Sequence, residues 1–184
     1  MTDDNLLPFS FPSVERKKVS AAFDGGRISS DGGVMLLAQA DRRLGIAERL
    51  ARAIPDGRDP DRVTHLLPDI LRARIFAIAC GYEDGDDLAV DHWRLRTDPA
   101  FKLACGRLPD TGLDLCSQPT VSRWENAPAL RDLIRLMGVM VDLYCASYAN
   151  PPAAVTLDID DTVDVVHGHQ QLALFNAHGA CPRA

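Results

Sequence analysis

The sequence predicts a mainly α-helical N-terminal region to about residue 150, followed by a β-hairpin, and three observations carry that expectation. Apolar residues recur at intervals of three and four through most of the chain as far as Tyr148. Pro151-Pro152 then halts any helix, because neither residue can donate a backbone hydrogen bond. Beyond them Val155-Thr156-Leu157-Asp158-Ile159-Asp160 alternates apolar and polar residues, several of them β-branched, and residues 171–175 offer a second apolar strand after a turn at Gly168.

Residues 1–20 mix Pro8 and Pro12 with the basic run Arg16-Lys17-Lys18, which reads as an extended arm whose cations are solvated and able to meet phosphate. Residues 21–150 form a helical region, and residues 151–184 the start of a second domain. Asp24-Gly25-Gly26 and Ser30-Asp31-Gly32-Gly33 are turn signals around a segment too short for a helix, so a hairpin or tight loop is expected there. From Val34 to Ala53 the spacing is helical, with Gly45 placed to split it in two, and Pro55-Asp56-Gly57 ends it. Residues 66–81 repeat apolar positions at Leu67, Ile70, Leu71, Ile75, Ile78 and Ala79, with Gly81 as the C-terminal cap. The acidic turn 83–87 caps a segment running to Leu95; it lacks the ligand spacing of a calcium loop. Asp98-Pro99 opens a short helix to Ala104, residues 106–119 are loop, and residues 120–126 start another helix. Residues 128–148 read as a long amphipathic helix with Leu130, Leu133, Ile134, Met137, Val141 and Tyr144 facing inward.

Composition excludes several classes. With 46% hydrophobic and 25% charged residues the chain is neither collagenous nor wholly disordered. Its apolar runs fall short of the ~20 residues of a membrane span, and the N-terminus is acidic where a secretory signal would be basic, so a cytoplasmic protein without a membrane helix is expected. The five cysteines include no Cys-x-x-Cys pair, and most of them suit reduced core positions. Net charge is -6, yet all of the 20 cations except Lys17, Lys18 and Lys102 are Arg. That balance argues against a non-specific nucleic-acid coat while leaving room for a local arginine-lined DNA site.

The densest chemistry lies at the end of the first predicted strand. Strand alternation puts Asp158 and Asp160 on one face, and Asp161 begins the turn. Crowded carboxylates repel one another unless they take up protons or bind a hard divalent cation such as Mg²⁺, although an Asp-rich turn after an edge strand would read the same way. Two families match Thr156-Leu157-Asp158-Ile159-Asp160-Asp161-Thr162. In haloacid-dehalogenase-like phosphatases, Asp158 would be the phosphoryl-accepting nucleophile and Asp160 the acid/base, but the residues after Thr162 are too few for that family's later Lys and metal-binding Asp.

The wider resemblance is to DDE transposases of bacterial insertion sequences. It rests on Phe23-Asp24-Gly25-Gly26 with Ser29-Ser30-Asp31-Gly32-Gly33, then Arg74 to Asp84 (Arg-Ile-Phe-Ala-Ile-Ala-Cys-Gly-Tyr-Glu-Asp), then Asp98-Pro99-Ala100-Phe101-Lys102. Ser117-Gln118-Pro119-Thr120-Val121-Ser122-Arg123 follows, and finally Leu157-Asp158-Ile159-Asp160-Asp161-Thr162 leading to His167-Gly168-His169-Gln170-Gln171. The resemblance implies a ribonuclease-H-like α/β catalytic domain, of which residues 151–184 would be the first hairpin. It also implies two Mg²⁺ ions held by three acids for in-line phosphodiester displacement. Asp160 or Asp161 would be the first acid, with Asp160 preferred because Ile159 then packs inward, and Asp158 would support them. The second Asp and the terminal Glu of the family do not follow, so a truncated copy that has lost catalysis is expected. Such a chain would act as a non-catalytic module binding the terminal inverted repeats, a full-length transposase or itself.

DNA contact is then expected from residues 118–126, where Gln118, Thr120, Ser122 and Arg123 are base-edge or phosphate readers and Trp124 anchors the helix on a core. The same segment reads equally as a capped linker helix buried by Val121 and Trp124. His167 and His169 lack further zinc ligands and fit a hydrogen-bonded turn.

Overall fold

In a computed structural model of the chain, the structure describes residues 11–20, 29, 31–82 and 95–157. The described part is mainly helical: α1 Val34–Leu44, α2 Ile46–Ala53, α3 Leu67–Ala79, α4 Pro99–Ala104, α5 Gln118–Glu125 and α6 Leu130–Ala146, with a 3₁₀ turn at Pro60–Arg62. Contacts divide the chain into two compact units, residues 1–147 and 148–184.

Helix ends follow from local chemistry. Gly45 takes a left-handed backbone (φ 65°) that ends α1 and starts α2, so the predicted split falls where only glycine is comfortable. At the end of α3, the Tyr82 amide donates to the Ala77 carbonyl (3.0 Å) and the Gly81 amide to Ile78 (2.9 Å), with Gly81 at φ 94°: a Schellman motif. The same paired bonds, Arg107 to Lys102 and Gly106 to Leu103, close α4. Its start is fixed by Asp98, whose carboxylate accepts from the amides of Ala100 and Phe101 (2.9 Å each).

In the first unit α2 lies against α3 and α6, while α1 packs on α4 and also touches α2 and α3. The larger core gathers Val34 and Ala38 of α1, Ile70, Phe76 and Ala77 of α3, Phe101 and Ala104 of α4, and Val121 of α5. A smaller one joins Ala47 and Leu50 of α2 to Leu67 and Leu71 of α3, and Trp124 packs against both. Residues 11–20 join the first core through Phe11 and Val19, and Val14 is buried as well. Val14 and Lys17 exchange backbone hydrogen bonds across a two-residue turn in which Glu15 and Arg16 have positive φ, so the basic run stands on that turn.

Two inward faces differ from expectation. In α3, Phe76 and Ala77 are buried whereas Ile78 is 48% exposed and Ala79 is also exposed. In α6 the six residues expected inside are all exposed; Leu136 and Val139 pack against the α2–α3 core instead.

In the second unit, residues 148–157 contain neither helix nor strand, and Val155 and Leu157 are exposed. The remainder of the expected hairpin lies outside the described residues, as do the turn signals at 24–26, the acidic turn 83–87 and His167 and His169. Among the described residues no helix is long and apolar enough to cross a membrane.

Cys105 and Cys116 are buried in the larger core, and burial pushes their thiols up to about 12 and about 11. Both therefore stay protonated and unreactive at neutral pH, as expected of core cysteines.

Candidate nucleic-acid interface

The residues that carried the sequence resemblance converge on one another in the first unit. Ser29 donates its hydroxyl to Asp98 (3.1 Å), and the Tyr82 hydroxyl donates to Asp31 (2.9 Å). The Tyr82 ring meets Phe101 edge to face at 6.5 Å. Arg74 of α3 donates to the Tyr82 carbonyl (2.8 Å) and is paired with Glu125 at the end of α5. Lys102 is buried, its Nζ donating to the Gly112 carbonyl (2.8 Å) and lying 3.4 Å from Asp114, so it holds the 106–119 loop against α4. Gly112 is required there: a Cβ would stand 2.5 Å from the Leu108 carbonyl oxygen. In four separate stretches of sequence these motifs thus build the scaffold that sets α5 in place.

Helix α5 is anchored on one side and borders a groove on the other. Val121 is buried at 3% exposure and Trp124 bridges the two cores, which anchors one side. Thr120, Arg123 and Trp124 line a groove of about 890 Å³ together with residues between Ile54 and His65. Gln118 and Ser122 are not in its lining. Ser117 and Thr120 share a hydroxyl hydrogen bond (3.0 Å), while Arg123 donates its Nε to the Pro119 carbonyl and leaves its guanidinium end exposed.

Sequence reasoning did not find the arginines across the groove: Arg58, Arg62 and Arg96. Arg58 is neutralised by Asp56 at 2.7 Å and donates to the His65 carbonyl, and Arg96 holds the Leu115 carbonyl at 2.9 Å. Arg62 is exposed, with no ion-pair partner among the described residues. Only the fold brings Arg62 and Arg123, 61 positions apart, to one groove.

His65 sits in the groove wall with its Nδ1 3.1 Å from the Arg107 guanidinium. Arg107 can only donate, so that nitrogen accepts and the ring is neutral. Burial, helped by Arg107, lowers its pKa below the ordinary 6.5. The unfolded chain then binds the proton more readily, so the stability this residue contributes is complete above about pH 6.5 and is lost as pH falls through the lower folded value. Thermal melts from pH 7.5 to 5 should therefore show a steeper decline for the wild type than for His65→Gln; parallel declines would contradict the assignment.

A second basic surface surrounds the α1–α2 junction, where Arg42, Arg43, Arg49 and Arg52 are exposed and without ion-pair partners among the described residues. Arg72 beneath them is occupied by Asp41, Glu48 and Asp69. Among the described residues no cluster of His, Cys, Asp and Glu could hold a metal ion. Asp158, Asp160 and Asp161 lie outside the described residues.

The helical body thus sets a short, half-polar helix beside a groove into which exposed arginines reach. The chain belongs to the transposase DDE domain group 1 family, whose model matches residues 11–181. It is accordingly a DDE-type transposase sequence, with DNA as the family's substrate and a divalent metal ion as its cofactor. No curated protein and no solved structure matches the chain.

Proposed function

We propose that the chain binds the terminal inverted repeats of an insertion sequence through the groove beside α5, with Arg123 and Thr120 toward the DNA and Arg62 on the opposite wall. The exposed guanidinium groups of Arg62 and Arg123 on one groove, in a chain of net charge -6, carry this reading. Gln118 and Ser122 extend the contact along the duplex. Its place of action is the cytoplasm, where the DNA is.

We further propose that residues 151–184 form the first hairpin of a ribonuclease-H-like domain, with Asp160 as the first acid, Asp161 beside it and Asp158 supporting both. A set of carboxylate oxygens suits a hard divalent cation such as Mg²⁺. When bound, that ion supplies charge stabilisation at the phosphodiester being cleaved. The chain acts on these ends with a further transposase molecule or a second copy.

The test measures fluorescence anisotropy on duplexes taken from the DNA that flanks the chain's own reading frame and on scrambled duplexes, alongside a nicking assay in Mg²⁺. Preference for the flanking ends is the expected result. Equal binding to both duplexes would sink the recognition reading, and Mg²⁺-dependent nicking that Asp160→Asn leaves unchanged would overturn the assignment of Asp160 as the first acid.

A further inference from the structure

We infer that the cleft at the α1–α2 junction holds duplex DNA by its phosphate backbone, without regard to sequence and apart from the segment read beside α5. Gly45 joins the two helices directly through its left-handed backbone, so Arg42 and Arg43 in the last turn of α1 come beside Arg49 and Arg52 of α2. All four are exposed, have no ion-pair partner among the described residues and line one open cleft of about 560 Å³. The acids of the cleft do not cancel them. Asp41 pairs with Arg72 at 2.9 Å, Glu48 pairs with the same guanidinium, and Asp69 approaches it at 3.4 Å, so a single arginine takes up three carboxylates. Four cations are left facing solvent in a chain whose net charge is -6. The Asp41 bonds to Ala47 and Arg72 also tie α1, α2 and α3 together, so the cleft is formed before anything enters it.

An extended polyanion fits this cleft better than a single phosphate or a protein face. Arg49 and Arg52 lie about 4.5 Å apart along the axis of α2, close to the ~3.4 Å by which successive phosphates of one strand advance along a duplex. Arg42 and Arg43 add a second row across the junction. Each guanidinium is a planar fork that binds phosphate oxygens in pairs. Leu44 is the largest apolar side chain in the lining, so the aromatic and aliphatic anchors of a protein interface are missing. No amide or hydroxyl side chain lines the cleft either, which leaves phosphate rather than base edges as its ligand. Nor does it continue the groove beside α5. The two share no lining residue, and the cleft takes in Gly45 before α2 whereas the groove begins at Ile54 after it.

Salt titrations of the full chain on scrambled and flanking-end duplexes test this. Replacing both Arg49→Gln and Arg52→Gln should lower the slope of log affinity against log salt by about two, and affinity at about 0.1 M salt by roughly tenfold or more, on both duplexes alike. Arg49→Lys with Arg52→Lys keeps the charges and should restore the slope, and both double variants should melt with the wild type. Phenylglyoxal, which modifies accessible guanidinium groups, locates the contact. Bound scrambled duplex should protect Arg42, Arg43, Arg49 and Arg52, while inorganic triphosphate at matched phosphate concentration should leave them reactive. Equal wild-type binding to the two duplexes would count against recognition at α5 and leave this cleft standing. An unaltered slope, a changed preference between duplexes in the Gln variant, arginines still reactive under bound duplex, or protection by triphosphate as strong as by DNA would overturn the inference.

Discussion

Replacing Asp41 with Ala should cost about 3 kcal/mol and lower the melting temperature by roughly 10 °C, the largest loss expected from removing a single polar side chain here. Asp41 is 4% exposed and its carboxylate serves two elements at once. One oxygen accepts from the Ala47 amide (3.0 Å) in the first turn of α2, and the other from the Arg72 Nε (2.9 Å) of α3. Burial alone would pull the Arg72 guanidinium down, but the Asp41 hydrogen bond and the charges of Glu48 and Asp41 outweigh it and hold the pKa above its usual value. Removing Asp41 leaves a largely buried cation with weaker company, since Glu48 and Asp69 are both more exposed. That residual pairing sets the estimate at the low end of the ~3–5 kcal/mol seen on breaking buried ion pairs. Asp41→Asn keeps an acceptor for Ala47 and should lose about half as much. Thermal denaturation of the two variants checks the order; equal losses would mean that the charge, not the capping bond, does the work.

The ends of these helices were legible because they depend on chemistry within a few residues. Gly45, Gly81 and Asp98 each carry their own instruction, and the structure places them at the ends predicted. The mainly helical character was legible for the same reason. The buried face of α6 was not. That helix carries Leu136, Val139 and Leu143 on one side and Leu130, Ile134, Met137, Val141 and Tyr144 on another, and periodicity cannot choose between two apolar faces. The choice is made by α2, to which α6 docks through residues that a single helical wheel does not single out. In α3, likewise, Phe76 is drawn in by the α1–α4 core rather than by the spacing that favoured Ile78. The role of Asp41 carries no local signal, because its partner Arg72 lies 31 residues away. The groove was half legible: residues 118–126 advertise polar readers beside a tryptophan, whereas Arg58, Arg62 and Arg96 reach it only through folding.

Arg62 and Arg123 should weaken DNA binding in different ways when replaced, and the difference assigns their roles. Arg123 projects from α5, the helix bearing the polar readers, and its exposed guanidinium is able to form a paired contact with a guanine edge. Arg123→Ala should therefore cost about 1–3 kcal/mol on the preferred duplex and much less on a scrambled one, narrowing the gap between them. Arg62 closes the 3₁₀ turn on the other wall, and on the proposed reading its exposed cation would meet the phosphate backbone. Arg62→Gln should weaken both duplexes alike and reduce the slope of log affinity against log salt by about one, the release of a single condensed counterion. Neither side chain has an ion-pair partner among the described residues, so both variants should keep the wild-type melting temperature, and a loss of affinity then reports on contact rather than folding. Titrations at several salt concentrations with both duplexes separate the outcomes. If Arg123→Ala lowers affinity uniformly, α5 binds backbone and sequence is read elsewhere. If neither variant changes affinity while the wild type still binds, DNA lies on the other basic surface, around Arg42, Arg43, Arg49 and Arg52.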